Sequence, residues 1–145
     1  MGTMAAMGDE ASIRTLSAFL REELATVVGY RRALSRFSDV AGADELRACL
    51  ASHERRIATL EQRIRFLGGD PDPEDAGAIP APALGVGDDA AIAALEESED
   101  RGLKHYLDDV CKLDRDTRTL VAREILPEQV RTYDSLSDLK LTRRI

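Results

Sequence analysis

The chain repeats itself at long range, and that repeat limits its folds more than any other feature. Shifting the first half by 76 positions sets Glu23 on Glu99 and Tyr30 on Tyr106. The same shift aligns Leu16 with Ile92, Phe19 with Leu95, Val27 with Leu103, Leu34 with Val110 and Phe37 with Leu113. With no gap it then sets Cys49 on Ile125, Leu50 on Leu126, His53 on Gln129, Ile57 on Tyr133 and Leu60 on Leu136. Apolar matches alone could arise between any two amphipathic hairpins. A matched Glu-x6-Tyr pair on the apolar stripe is harder to produce by accident, because a buried carboxylate is costly unless it is paired.

Within each half the apolar residues recur with helical periodicity. The expected helices cover about 10–38, 43–67, 88–114 and 117–141, preceded by a disordered leader over 1–9. Asp39-Val40-Ala41-Gly42 is read as the break in the first hairpin, Asp88 and Asp89 as N-caps of the third helix, and Asp116 as the cap of the fourth. Pro127 lies inside the fourth helix and should perturb it, since it removes a backbone donor and crowds the preceding turn.

The halves are divided by a crossover over 68–87. From Phe66 to Asp100 there are ten acids and no Lys or Arg, and four of the five prolines fall there. Helices of this length reach about 40 Å, and twenty extended residues span about 65 Å, so the crossover can run the length of the bundle. The expected fold is therefore all-α: two antiparallel hairpins joined by one long crossover. A pseudo-twofold relating the halves would bring Glu23 and Glu99 together at mid-height.

Composition removes several function classes. The net charge of −7 argues against nucleic-acid binding, and no apolar run is long enough to span a membrane. Cys49 and Cys111 are too few for a disulfide framework or a cysteine-rich zinc module and fit idle thiols in a reducing cytoplasm. No phosphate-binding glycine loop or Ser-His-Asp arrangement is present. Arg31, Arg32, Arg36, Arg55 and Arg63 alternate with acids on outer faces.

With Glu-x6-Tyr in its first and third helices, the chain resembles the ferritin-like superfamily, in which bacterioferritins carry that motif. The segments Leu95 to Tyr106 and Glu124 to Leu136 resemble small bacterial ferritin-like four-helix bundles known only as domains of unknown function. The resemblance implies a di-metal site completed by Glu-x-x-His on the second and fourth helices. This sequence departs from that pattern. It has His53 and Arg56 on the second helix, and on the fourth Gln129 and Thr132, or Glu128 and Arg131 if Pro127 shifts the frame.

Two arrangements of these residues remain open. Glu23, His53 and Glu99, with Glu54, Glu128 and Gln129 nearby, could hold one iron, zinc or manganese ion in a redox or storage protein. Alternatively Glu23 and Glu99 pair with Arg56, His53, Tyr30 or Tyr106 in a satisfied polar layer. That second arrangement, preferred here, describes a non-catalytic interaction or stress-associated protein that has lost its metal site and acts on an unknown protein partner. His105 is expected off the inner stripe and solvated, Tyr133 in the core, and a homodimer through helical faces is the expected assembly.

Overall fold

The structure is a computed structural model that describes residues 3–71 and 80–143, with side chains from residue 9 onward. Residues 1 and 2 of the expected leader and 72–79 of the crossover lie outside the described residues. The elements are α1 (Thr3–Leu34), α2 (Val40–Phe66), α3 (Asp88–Asp109), a 3-10 turn (Val110–Lys112), α4 (Arg115–Leu120), a π turn (Val121–Ile125) and α5 (Leu126–Arg143). The last three run on as the fourth helix of the bundle, and no strand occurs among the described residues.

Several boundaries differ from the sequence expectation for local reasons. Helix α1 starts at Thr3, so residues 3–9 are helical rather than a disordered leader. Val40 to Gly42 belong to α2, because Asp39 is its N-cap and accepts from the Gly42 N–H. Asp114, not Asp116, caps α4 by accepting from Thr117 N–H. Gly87 occupies the N-cap of α3, which frees Asp88 to accept from the backbone N–H groups of Ser38 and Asp39. The disturbance expected at Pro127 is taken up one turn earlier, where the Leu126 N–H reaches back five residues to the Val121 carbonyl.

These contacts fix the topology. Helices α1 and α2 form one hairpin and α3 with α5 the other, and α1–α3 and α2–α5 contacts close the bundle. Asp88 holds the start of α3 against the turn after α1, and Arg143 at the end of α5 pairs with Asp39 and Asp89 at that same end. At the opposite end Asp114 N–H donates to Ser12, and Arg63 donates to Thr117. The crossover therefore travels from the far end of α2, where left-handed Gly68 (φ 92°) stops the helix, back to the first end. This is the connectivity of a ferritin-like bundle.

On the way the crossover packs against α1. Leu84 is buried, and a β-carbon at Gly29 would lie 2.9 Å from the Pro82 ring, so this stretch of α1 accepts the strap only because it has no side chain there. No helix among the described residues is long and apolar enough to cross a membrane.

The apolar interior falls into two clusters. One is built around Leu16, Phe19, Leu60, Ile64, Tyr106 and Ile125, and the other around Tyr30, Leu46, Cys49, Ile92, Leu95 and Leu136. Between them lies a layer of buried polar side chains, with Glu23, Ser52, His53, Arg56, Glu99, Gln129 and Thr132 each at most 3% exposed.

Candidate functional site

Every residue of this layer sits on a stripe that helical periodicity turns inward, so each polar group is buried among the four helices. Glu23 comes from α1, Ser52, His53 and Arg56 from α2, Glu99 from α3, and Gln129 and Thr132 from α5. Of the two frames open for the fourth helix, Gln129 and Thr132 are the pair that faces inward. Glu128 and Arg131 lie at the rim, with side chains 31% and 46% exposed and bonded to each other.

The two carboxylates share one imidazole. His53 Nδ1 lies 2.9 Å from Glu23 Oε2, and His53 Nε2 lies 2.6 Å from Glu99 Oε2. Burial alone would push the His53 pKa down, but Glu23 and Glu99 outweigh it and raise it to about 9. At neutral pH the ring is thus an imidazolium that donates from both nitrogens. Burial pushes Glu99 upward, yet the His53 charge and hydrogen bonds from His53 and Thr132 hold it below the ordinary carboxylate range.

Arg56 supplies the second cation. Its guanidinium donates to Ser52 Oγ at 3.0 Å, to Thr132 Oγ1 at 2.8 Å, to the Glu128 carbonyl at 2.9 Å and to Gln129 Oε1, and it stands 3.6 Å from Glu23 Oε1. Two carboxylates and two cations make the layer electrically neutral, the condition under which buried charge is tolerated.

Glu99 is saturated. Oε2 accepts from Tyr30 Oη at 2.7 Å as well as from His53, and Oε1 accepts from Thr132 Oγ1 at 2.6 Å and Gln129 Nε2 at 3.1 Å. An ionised carboxylate offers about four lone-pair positions, and all are in use. The pseudo-symmetric partner is treated differently. Tyr106 faces Glu23, and burial, that negative charge and the approach of its hydroxyl to the Glu23 carboxylate hold its phenol protonated, but the hydroxyl closes no hydrogen bond of ordinary geometry.

The remaining candidates lie outside the layer. Glu54 is exposed and paired with Arg31. Glu128 has its side chain at the rim, where it accepts from Ser52, Arg55 and Arg131, and the Arg131 bond chiefly lowers its pKa to about 2. His105 is off the inner stripe as expected but is not simply solvated. It is bonded to Glu22 and Asp109, and its ring packs edge-on against Phe19, 4.9 Å between centroids. Tyr133 is half-buried rather than fully in the core. Thr132 is the residue the sequence places at the site three after Gln129, but Ser52 is not recognisable as a member of the layer, because a short hydroxyl residue carries no charge signal. The position of Ser52 one residue before His53 is its one hint in the sequence.

These residues do not fit a dinuclear metal centre. Among the described residues no group of three His, Cys, Asp or Glu side chains is arranged to hold a metal ion. Both nitrogens of His53 and all four positions on Glu99 are committed to side-chain partners, and a permanent guanidinium charge occupies the layer.

No family model matches the sequence, and no curated protein matches it. Among solved structures the chain is similar to a ferritin-like, diiron-carboxylate protein from Bacillus anthracis str. Ames, with a TM-score of 0.75 over 97% of this chain and 99% of that one, at 15% sequence identity. At that identity the likeness speaks for the fold, and the chain is a ferritin-like four-helix bundle of two antiparallel hairpins joined by one long crossover.

Proposed function

We propose that this chain is a ferritin-like bundle that does without a dinuclear metal centre and works as a non-catalytic interaction or stress-associated protein. In this reading two side-chain cations, Arg56 and the protonated His53, supply the positive charge that two buried carboxylates require. The observation that carries it is Arg56, 2% exposed and bonded to three residues of the layer and to the Glu128 carbonyl while facing Glu23. A guanidinium stays charged at any pH the fold survives, so it opposes divalent ions permanently. The proposed assembly is a cytoplasmic homodimer through outer helical faces, where Leu107 and Val130 are exposed.

The test is metal content. Protein purified from cells supplied with iron, zinc and manganese should carry far less than one equivalent per chain by plasma mass spectrometry. Stoichiometric metal that disappears in Glu23→Ala and Glu99→Ala, with helicity retained, would overturn the reading.

A second reading, one divalent ion held by Glu23, His53 and Glu99, draws support from the diiron-carboxylate neighbour and from the placing of one imidazole between two carboxylates. It requires the ion to displace a proton and several short hydrogen bonds, and the same metal analysis distinguishes it.

A further inference from the structure

A cavity of about 60 Å³ opens beside the polar layer on the side of Tyr106. Its inner wall is formed by Glu23, His53, Tyr106 and Gln129, all buried, and Pro80 and Pro82 of the crossover line it as well. Glu22, Ser98 and Arg101, which are partly or fully exposed, line its outer part. Tyr106, which lines this space, is 2% exposed, and its hydroxyl is without a hydrogen-bond partner of ordinary geometry. A buried hydroxyl left unpaired costs about 1–3 kcal/mol, so the exception requires a reason, and the space beside it supplies one.

The chemistry of the walls selects the occupant. Every charge on the lining already faces an opposite one: Glu23 faces His53 and Arg56, Glu22 is bonded to His105, and Arg101 is bonded to Glu97. An ion entering would arrive uncompensated at a largely desolvated site. The unused capacity is instead a donor on Tyr106 opposite the acceptor oxygens of Glu23. A hydroxyl group satisfies both, accepting from the phenol and donating to the carboxylate. The volume admits about three to five non-hydrogen atoms.

We propose that this cavity is a binding site for a small uncharged molecule bearing a hydroxyl group, held between Tyr106 Oη and the Glu23 carboxylate beneath the crossover prolines. The site shares Glu23, His53 and Gln129 with the polar layer and rests on the reading that Glu23 holds no metal; metal analysis tests that reading, and titration of chelator-dialysed protein tests the cavity.

The test is titration of chelator-dialysed protein with ethylene glycol, followed by the amide shift of Gly102, which also lines the cavity. A saturable shift is expected, about fivefold weaker in Tyr106→Phe and lost in Ser98→Leu, which fills the outer part from a residue outside the polar layer. Formate and methylammonium, similar in size but charged, should give no saturable shift. The proposal is overturned if ethylene glycol gives no saturable shift, if Tyr106→Phe and the parent bind it equally, if either ion binds more tightly, or if only water occupies the site. Circular dichroism establishes that each variant is folded, and Ser98→Leu carries the test alone if Tyr106→Phe is not.

Discussion

Replacing Arg56 by Met tests the polar layer at its most committed member. Methionine keeps much of the side-chain volume but removes one of two cations facing two buried carboxylates. Glu23, 3% exposed, would then share a single imidazolium with Glu99, and Ser52, Gln129, Thr132 and the Glu128 carbonyl would each lose a donor. Breaking a buried pair by removing one partner costs about 3–5 kcal/mol, and for a chain of this length each kcal/mol lowers Tm by about 2–4 °C. Urea unfolding at pH 7 followed by helical circular dichroism should give a loss of about 4 kcal/mol at unchanged m-value. Glu23→Gln added to Arg56→Met restores neutrality, with His53 opposite Glu99 alone, and should recover at least about 1 kcal/mol as a positive coupling. A single variant within about 0.5 kcal/mol of the parent, or a double variant no better than the single, would refute the charge-balance argument.

Three further outcomes follow from particular contacts. The His53 pKa is raised from 6.5 to about 9 on folding, so its stabilisation is complete below pH 6.5 and drains away as pH rises toward 9, by about 3 kcal/mol in all. Glu99 is shifted downward and contributes above its ordinary value of 4.5, losing that contribution as pH falls, so these two groups place maximal stability near pH 5–6.5. Urea midpoints across pH read both limbs, and His53→Gln should abolish the alkaline one. Tyr30→Phe removes a buried 2.7 Å bond to Glu99 and should cost about 1.5–3 kcal/mol, whereas Tyr106→Phe in protein without added ligand should cost less than about 1 kcal/mol; equal losses in thermal melts would contradict the asymmetry. Gly29→Ala in an exposed helix would gain about 1 kcal/mol, but here the new methyl meets the Pro82 ring, so a net loss is expected in the same melts, and a net gain would show the crossover is not seated there.

Much of the layer could be read from the repeat, because a gapless offset carries inward-facing positions from one hairpin to the other. It aligned His53 with Gln129 and Tyr30 with Tyr106, and all four are buried. Periodicity cannot report how a hydroxyl orients, so the break in symmetry is invisible in the sequence: Tyr30 closes a 2.7 Å bond to Glu99, while Tyr106 faces Glu23 without closing one of ordinary geometry. The crossover was legible only as an interruption. Its proline and glycine content announces an absence of helix, but Leu84 in the core and Pro82 on Gly29 are contacts between segments far apart in sequence. Helix ends differ from the sequence expectation by several residues, because several acids near each end can serve as caps and tertiary bonds decide among them. Asp88 illustrates this by serving the turn after α1 instead of its own helix.

The protonation state of His53 tests the central claim most directly, since a ring donating from both nitrogens has no lone pair for a metal. Nitrogen-15 spectra of the imidazole at pH 7.5 should show both Nδ1 and Nε2 protonated, titrating near pH 9 and unmoved by an equivalent of zinc or ferrous iron. A neutral ring with one bare nitrogen at that pH, or a resonance that shifts stoichiometrically with added metal, would contradict it.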